Sequence, residues 1–255
     1  MPAQHPIALI TGATAGIGAE FARQLAARGH DLVLVARDRE RLESTARSLA
    51  AEHGIRAEAL PADLLRPESL ALVERRLRDP ERPVELLVNN AGFGLRRPFE
   101  QNDVEDEQAH LDLLVAVPMR LAHAALQQML PRGSGTIVNV ASVAAFTPRG
   151  TYGAAKAWLI SFSRWASIAY RRSGVTVTAV APGFVRTEFH ERMGVRTDTI
   201  PGFLWLSPER VVRAALRDAS RGRALSVPTV RYKLIVGLTR WLPQRVVAAG
   251  ALRGR

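Results

Sequence analysis

The sequence predicts an α/β protein built around a parallel sheet. Short apolar runs, such as those at 32–36 and 84–88, have the length and composition of fully buried strands. Segments with the apolar spacing of helices separate these runs through about residue 227. The first run also ends in a glycine-rich turn that opens directly into a helix. These observations predict a doubly wound sheet of the Rossmann type, with about seven strands flanked by helices in a single domain.

Local signals place the individual elements along the chain. Strands are expected at 7–11, 32–36, 55–60, 84–88, 136–140, 175–180 and 224–227. Helices are expected at 16–29, 38–53, 104–130, 151–173 and 208–220, and another opens at Pro67, since proline suits the first turn of a helix. Gly29, Gly54 and Gly174 mark the ends of three of these helices.

Composition narrows the class of protein. The chain has 255 residues, of which 47% are hydrophobic, and it has no cysteine, which excludes disulfides and thiolate chemistry. The formal net charge is +11, nearly all of it from arginine, but no basic stripe alternates with aromatic residues, so we expect no nucleic-acid binding. The histidines lack metal-binding spacing, and no metal is expected. Because we find no signal-type segment and no uncharged apolar run of membrane-spanning length, we expect a cytoplasmic protein.

The turn after the first strand has the spacing G-x-x-x-G-x-G. Gly12 permits a tight turn, Gly16 leaves room for a pyrophosphate beside the backbone, and Gly18 lets the next helix pack close to the sheet. The amides and the dipole at the start of that helix favour a phosphate. The turn therefore predicts a dinucleotide site that includes Thr14 and Ile17, and the alternative is a strand-to-helix turn that binds no ligand.

Residues that follow the next two strands extend this site, because ligands of such sheets bind beyond the carboxyl ends of the strands. Arg37 stands where an acid would bind a ribose hydroxyl, and an arginine suits a 2′-phosphate, so NADP is favoured over NAD. Asp63 and Leu64 follow the third strand, with Asp63 placed to meet the adenine amino group. The alternatives are that Arg37 only caps its helix and that Asp63 is a turn or N-cap aspartate.

A turn of small residues follows the fourth strand. Its sequence is Asn89-Asn90-Ala91-Gly92, and small residues let the backbone approach a cofactor closely. We therefore assign Asn90, Ala91 and Gly92 to the cofactor site. The alternative is an ordinary Asn/Gly turn without a ligand.

Ser142, Tyr152 and Lys156 form the candidate catalytic group. Tyr152 and Lys156 are four residues apart, so on a helix they share one face, and the alternative is a packing tyrosine beside an exposed lysine. A tyrosine hydroxyl titrates near pH ~10, and a nearby ammonium together with the cationic nicotinamide ring would lower that pKa. Ser142 would hold the substrate oxygen while hydride passes between the nicotinamide and the substrate carbon.

These motifs, taken in order, resemble the classical short-chain dehydrogenase/reductase family over about residues 5–227. The matching segments are Thr11-Gly12-x-x-x-Gly16-Ile17-Gly18, Asn89-Asn90-Ala91-Gly92, Ser142, Tyr152-x-x-x-Lys156 and Pro182-Gly183-x-x-x-Thr187. The resemblance implies NAD(P)-dependent oxidoreduction of a carbonyl or an alcohol, with Tyr152 as the acid/base and Ser142 as the anchor of the substrate oxygen. It implies that Lys156 binds the nicotinamide ribose, and that Arg37 selects NADP.

The resemblance also extends the cofactor site to the segment after the sixth strand. It implies that Pro182 and Gly183 belong to this site. It further implies that Val185 and Thr187 contact the carboxamide and phosphate region.

One departure from the family concerns the proton relay. The family carries an asparagine in the helix after the fourth strand, where it holds a water that links the catalytic lysine to solvent. An ungapped count from Asn89 places Leu114 at that position, and a leucine cannot hold that water. Asp112 and Asn139 are the candidates to substitute for the missing amide.

A second departure concerns the loop before the catalytic tyrosine. The interval from Ser142 to Tyr152 is shorter than usual, and Arg149 and Gly150 lie in the shortened loop. We expect a reshaped substrate wall and a serine that stays in place.

The last part of the chain is apolar and basic. A segment before Pro208 is either a lid over the substrate or core packing, and its apolar residues are Phe189, Met193, Ile200, Phe203, Leu204, Trp205 and Leu206. After Asp218 no acid remains, and arginines alternate with apolar residues around Trp241. We divide the chain into an NAD(P)-binding domain at 1–228 and a basic, apolar C-terminal extension of the same domain at 229–255. This extension either lies on an anionic membrane or completes the fold or a subunit interface.

The sequence therefore predicts an NADP-dependent oxidoreductase that acts on an apolar, lipid-like carbonyl or alcohol. The expected partners are this small molecule and further copies of the chain. The alternative function, motivated by Leu114, is a nucleotide-binding sensor or scaffold with little turnover.

Overall fold

The computed structural model describes residues 5–188, 200–239, 241–243, 245 and 247. The strands within these residues are β1 (Ile7–Thr11), β2 (Asp31–Ala36), β3 (Ala57–Pro61), β4 (Val84–Asn89), β5 (Gly135–Val140), β6 (Val175–Val180) and β7 (Leu225–Ser226). All seven strands of the described part run parallel in one sheet, in the order β3-β2-β1-β4-β5-β6-β7. The predicted doubly wound sheet of the Rossmann type is confirmed.

Helices connect the strands and cover both faces of the sheet. They are α1 (Gly16–Ala26), α2 (Arg39–His53), α3 (Pro67–Leu77), α4 (Val104–Leu111), α5 (Val117–Arg132), α6 (Gly150–Ala169), α7 (Pro208–Ser220) and α8 (Val230–Thr239). Alternate residues of β1 serve opposite faces, because successive side chains of a strand point to opposite sides. Ile10 belongs to an apolar cluster with Phe21 of α1 and Leu216 of α7, whereas Leu9 belongs to the other cluster with Leu121 of α5.

Two predicted helices end earlier than the sequence suggested. The helix expected at 16–29 ends at Ala26, and its chain turns through Gly29, whose φ is 79°. The helix expected at 151–173 ends at Ala169, and a short 3₁₀ turn at Arg171–Ser173 leads to Gly174. In both places a glycine with a positive φ turns the chain a few residues beyond the last helical residue. The prediction had extended each helix up to that glycine.

The long helix expected at 104–130 is interrupted. A π-helical turn at Asp112–Ala116 separates α4 from α5. Of the described helices, the run Val104–Arg132 alone is long and apolar enough to cross a membrane, with a mean hydropathy of 1.2. Half of that apolar window is buried in the fold, where α5 packs against α3 and β4. We therefore assign this run to the core.

The strand order reverses between β1 and β4, where connections leave the sheet in opposite directions. Thr11, at the end of β1, accepts hydrogen bonds on its hydroxyl from the amides of Asn90 (2.9 Å) and Ala91 (3.0 Å), which follow β4. The Thr11 hydroxyl donates to the Val88 carbonyl at 3.3 Å. These bonds join the two strand ends and form the base of a crevice at the carboxyl edge of the sheet.

Candidate active site

The glycine turn is shaped by contacts that leave no space for side chains. Gly12 and Gly16 have φ values of 66° and 54°, which favour glycine. A Cβ on Gly18 would collide with the Gly12 carbonyl and the Asn90 amide. Asn90 Nδ2 donates to the carbonyls of Thr11 (2.9 Å) and Gly12 (3.2 Å), so its side chain holds the turn in position.

The start of α1 is open toward the crevice. Its N-cap residue, Ala15, provides no side-chain cap, and the first turn of α1 has no acidic residue. Thr14, Gly16 and Ile17 line the cavity at this point. Backbone amides at a helix start are a suitable site for a phosphate, as the sequence suggested.

Two arginines lie at one end of the crevice, near the end of β2. Arg37 and Arg41 both line the cavity, and no ion pair of Arg37 occurs among the described residues. Asp38, rather than Arg37, caps α2, because its carboxylate accepts from the Arg41 amide at 3.0 Å. Arg41 Nη2 also pairs with Glu188 Oε1 at 2.9 Å, and both residues line the cavity. The alternative that Arg37 only caps its helix is therefore wrong.

The turn after β3 combines both interpretations of Asp63. Its carboxylate accepts from the Leu65 amide at 3.2 Å, as in an Asx turn. Asp63 and Leu64 also line the cavity, on the same side as Arg37.

One cavity of about 1180 Å³ runs from the glycine turn to the C-terminal helix α8. Apart from Gly18, which lies beneath the turn, every site residue predicted from the sequence lines it: Gly12, Thr14, Gly16, Ile17, Arg37, Asp63, Leu64, Asn90, Ala91, Gly92, Ser142, Tyr152, Lys156, Pro182, Gly183, Val185 and Thr187. The geometry suits a dinucleotide, because a glycine cradle and an open helix start lie at the same cavity as the candidate catalytic side chains.

Ser142, Tyr152 and Lys156 converge on the wall formed by β5 and α6. The Tyr152 hydroxyl and Ser142 are hydrogen-bonded, and Ser142 Oγ accepts from the Ala144 amide at 3.1 Å. Lys156 Nζ donates to the Val140 carbonyl at 2.7 Å and lies 5.7 Å from the centroid of the Tyr152 ring. The shortened loop before α6 thus leaves the serine within reach of the tyrosine.

Burial shifts the two titratable groups of this wall in opposite directions. It raises the pKa of Tyr152 from 10.0 to about 12, although the bond with Ser142 and the charge of Arg149 act to lower it. Burial lowers the pKa of Lys156 from 10.5 to about 8. The sequence suggested a lowered tyrosine pKa, counting a cationic nicotinamide as well as the ammonium. In the protein alone, desolvation outweighs the hydrogen bond with Ser142 and the charge of Arg149, so the predicted lowering of the pKa is wrong.

Leu114 lies at the cavity, where the sequence count placed it. It is 1% exposed and belongs to the π-helical turn. Its side chain lies so close to Gly92 that a Cβ on this glycine would be 2.9 Å from Leu114 Cδ2. Neither proposed substitute for the missing amide reaches the cavity. Asn139 is bound between Asn89 (2.9 Å) and a buried serine of α6, and the Asp112 carboxylate accepts from an exposed glutamine of α4. The idea that one of them replaces the amide is therefore wrong for this structure.

The C-terminal helix closes the far end of the site. Tyr232 of α8 is buried over Gly183, so that a Cβ on this glycine would overlap its ring. The Tyr232 hydroxyl accepts from the Phe184 amide at 3.0 Å and donates to the Leu204 carbonyl at 2.7 Å. Apolar residues of the C-terminal segment line the cavity beyond it, namely Ile235, Leu238, Leu242 and Val247.

The apolar segment before α7 divides between the two alternatives. Leu204 lines the cavity, whereas Ile200 and Leu206 are buried in the core. Phe203 is exposed. Phe189 and Met193 lie outside the described residues.

Sequence reasoning missed three features of the site. Arg41 gave a signal, because it stands one helical turn after Arg37. Tyr232 gave a weaker one, as the tyrosine of a basic, apolar tail. His110 gave none, although its ring stacks on that of Tyr152 with centroids 6.0 Å apart. No group of three or more histidine, cysteine or acidic side chains suited to a metal occurs in the described part of the chain.

Comparisons with known proteins agree with this geometry. The family model described as short chain dehydrogenase matches residues 6–196. A short-chain dehydrogenase from Sphingobium yanoikuyae, solved in complex with NADPH, is similar at 39% identity and a TM-score of 0.84, over 92% of this chain and 94% of that chain. The bulky-bulky ketone specific alcohol dehydrogenase from Comamonas testosteroni is similar at 33% identity and a TM-score of 0.81, over 95% and 96% of the two chains.

A relative in sequence is the very-long-chain 3-oxoacyl-CoA reductase of Anas platyrhynchos. It is 31% identical over 218 residues, which cover 82% of this chain and 67% of the relative.

Proposed function

Because the chain belongs to the short chain dehydrogenase family and is an oxidoreductase that acts on CH–OH or C=O groups, we propose that it uses NADP and an apolar, lipid-like substrate. The observation that carries the proposal is the single cavity that joins the glycine turn to Ser142 and Tyr152. A cofactor whose phosphates lie at the turn would extend toward the tyrosine along this cavity.

We propose Tyr152 as the group that gives a proton to the substrate oxygen in reduction and removes it in oxidation. When bound, the dinucleotide supplies or accepts the hydride. Ser142 donates a hydrogen bond to the same oxygen and orients it toward the phenol. Lys156, buried on the same face of α6, stabilises the negative charge that Tyr152 develops and is placed to bind the nicotinamide ribose.

The choice of NADP rests on charge at the β2 end of the cavity. Arg37 presents a guanidinium group there with no ion pair among the described residues, whereas the neighbouring Arg41 is bonded to Glu188. The nearby Asp38 carboxylate caps α2. A 2′-phosphate would accept hydrogen bonds from a guanidinium group, which are strong when both partners are charged. The NADPH bound to the Sphingobium yanoikuyae relative supports this assignment.

The wall of the cavity at the end away from the glycine turn favours an apolar substrate. Phe184, Leu204, Ile235 and Leu238 line the cavity beyond Tyr152. Such a wall favours a ligand with a bulky apolar part, because apolar surface is removed from water on binding. The names of the relatives from Comamonas testosteroni and Anas platyrhynchos, a bulky ketone alcohol dehydrogenase and a 3-oxoacyl-CoA reductase, agree with this class.

A panel of ketones, 3-oxoacyl thioesters and alcohols, assayed with NADPH or NADP⁺ and with the NAD pair, tests the proposal. We expect turnover of bulky apolar members with NADPH or NADP⁺, and a loss of about 100-fold or more in kcat for Tyr152→Phe, since general acid–base groups contribute at least this much. Equal rates in the wild type and this variant would exclude the assignment of Tyr152.

The second candidate function is a nucleotide-binding sensor, and Leu114 is the observation that favours it. A buried leucine at this point of the cavity offers no hydrogen bond to a relay water. A sensor would bind NADPH and show no turnover across the whole panel. Measurable turnover that depends on Tyr152 excludes it.

Two partner surfaces remain proposals. Trp165 and Ile168 of α6 are exposed and offer a face to a second copy of the chain. Trp241 is 89% exposed and belongs to a segment whose sequence is basic, which suits contact with an anionic membrane. A solution mass above the 27.9 kDa monomer and pelleting with anionic vesicles that Trp241→Ser abolishes are the expected results. A monomer in solution would exclude the contact between copies. Equal pelleting of the wild type and Trp241→Ser would exclude the membrane contact.

A further inference from the structure

His110 is a buried titratable side chain beside the catalytic tyrosine. It lies on α4 and is 1% exposed. Its ring stacks on the Tyr152 ring with an interplanar angle of 26° and meets Phe93 edge-on, with ring centroids 5.4 Å apart. The imidazole therefore packs against the Tyr152 ring and does not line the cavity.

Neither ring nitrogen of His110 has a hydrogen-bond partner of good geometry among the described residues. The Phe93 backbone lies close enough to raise the pKa of the imidazole, but the two groups do not have the geometry of a hydrogen bond. A buried polar atom without a partner destabilises a fold by about 1–3 kcal/mol, so such atoms usually have a function or bind a water molecule.

The charges around His110 come from two elements. Burial lowers the pKa of the imidazole, Lys156 of α6 lowers it further, and Glu107 of α4 acts to raise it. Tyr152 is the other titratable group packed against the ring. At neutral pH the imidazole is uncharged, so it can accept a proton on one nitrogen while the other gives one up.

Glu107, whose charge acts on His110, is 8% exposed and bonds two side chains that are partly exposed. Its carboxylate accepts from the Thr151 hydroxyl at 2.7 Å and from Asn102 Nδ2 at 2.8 Å. Thr151 precedes Tyr152 on α6, and Asn102 lies in the partly exposed loop before α4. These two bonds fix the buried Glu107 carboxylate one side chain away from the surface, on the same helix as His110.

We propose that His110 carries a proton between Glu107 and the Tyr152–Lys156 pair, through one water molecule held by a ring nitrogen. In each reduction Tyr152 loses one proton to the substrate oxygen. One proton enters at Glu107, binds one nitrogen of His110, and the proton of the other nitrogen leaves through the water toward Lys156 and Tyr152. The imidazole returns to its neutral form and no electrons move in these steps.

This inference rests on the proposed function, and it explains how the site works with Leu114 at the relay position. Asp112 and Asn139 are engaged elsewhere, as described above. His110 acts through Lys156 and Tyr152 and touches neither the substrate nor the cofactor. We therefore class it as a positioning residue and not as a catalytic one.

The test compares two substitutions at position 110. His110→Phe keeps an aromatic ring against Tyr152 but removes both nitrogens, whereas His110→Gln restores polar atoms. We expect His110→Phe to lower kcat by about tenfold or more, with KM unchanged and a larger solvent isotope effect on kcat, because proton delivery becomes limiting. His110→Gln should stay as slow as His110→Phe, because an amide can hold a water molecule but cannot take up and release a proton. A rate restored by His110→Gln would overturn the proposal. The same kcat, pH profile and isotope effect in His110→Phe as in the wild type would overturn the proposal.

Further variants distinguish a loss of proton delivery from a folding defect in His110→Phe. Glu107→Gln should reproduce the lowered kcat and the isotope effect, and His123→Phe, on the exposed face of α5, should change neither. Adding Leu114→Asn should help the His110→Phe enzyme more than the wild type, since the new amide would restore a relay. Equal effects of Leu114→Asn in both backgrounds, or a normal rate in Glu107→Gln, would contradict the proposal. A wild type without any turnover would instead contradict the proposed function.

Discussion

At the residue scale, the site depends on what burial does to Tyr152 and Lys156. Desolvation raises the pKa of Tyr152 to about 12 and lowers that of Lys156 to about 8, because it disfavours whichever form is charged. At pH 7 the tyrosine is therefore neutral and able to donate a proton, and the lysine is positive. This combination suits reduction of a carbonyl near neutral pH.

The opposite shifts give a pH dependence. As pH rises through about 8, Lys156 loses its charge and no longer stabilises the phenolate that Tyr152 forms on giving up its proton. We expect kcat/KM for NADPH, which reports the free enzyme, to fall above this pH, while Tyr152 itself remains protonated. A profile measured from pH 6 to 10 checks this, and a flat profile to pH 10 would contradict the assigned state of Lys156.

The second prediction at this scale concerns Arg37. Arg37→Asp replaces a positive group at the cavity with a negative one, so it should weaken NADPH binding by about tenfold or more and NADH binding far less. Dissociation constants for both cofactors, measured by fluorescence, check this. Arg39→Asp is a matched control, because the Arg39 side chain is exposed on α2 and does not line the cavity. Equal losses for NADPH and NADH would mean that Arg37 does not contact the 2′-phosphate.

At the scale of elements, the C-terminal helix α8 belongs to the site. Tyr232 lies over Gly183, and its hydroxyl bonds the Phe184 amide and the Leu204 carbonyl. These contacts join α8 to the segment after β6 and to the segment before α7. We therefore propose that 229–255 functions as one domain with 1–228.

Tyr232→Phe tests the role of this helix. The substitution removes the hydroxyl that bonds the Phe184 amide and the Leu204 carbonyl, both partly buried. The loss of two hydrogen bonds should lower the free energy of unfolding by about 1–3 kcal/mol. We expect a higher KM for the apolar substrate and little change in NADPH affinity, since α8 lies at the far end of the cavity. Urea unfolding and steady-state kinetics provide the measurements.

Tyr170→Phe is the matched control for this change, as Tyr170 packs against Trp165 away from the cavity. Unchanged stability and KM in Tyr232→Phe would show that α8 does not support the substrate end.

The sequence predicted the sheet, most helices and the cofactor side of the site, because these depend on local patterns. A glycine turn, a four-residue Tyr–Lys spacing and an arginine after β2 are all short-range signals. The features that it missed depend on contacts between distant segments. Arg41 meets Glu188 across 147 positions, and Tyr232 packs on Gly183 from another element. The π-helical turn around Leu114 also has no local signature in the sequence.

At the scale of the whole molecule, function follows from where the sheet order reverses. Connections leave β1 and β4 in opposite directions, so a crevice opens at their carboxyl ends and becomes the polar end of one cavity. The loop after β6 and α8 enclose the opposite, apolar end. A polar dinucleotide end and an apolar substrate end thus meet at Ser142 and Tyr152.

A crystal structure of the protein with NADP⁺ would test this arrangement most directly. We predict the pyrophosphate at the Gly12–Gly18 turn, the 2′-phosphate on Arg37 and Arg41, and the nicotinamide ring beside Tyr152 and Lys156. A cofactor bound outside this cavity, or a nicotinamide ring out of reach of the Tyr152 hydroxyl, would contradict the account.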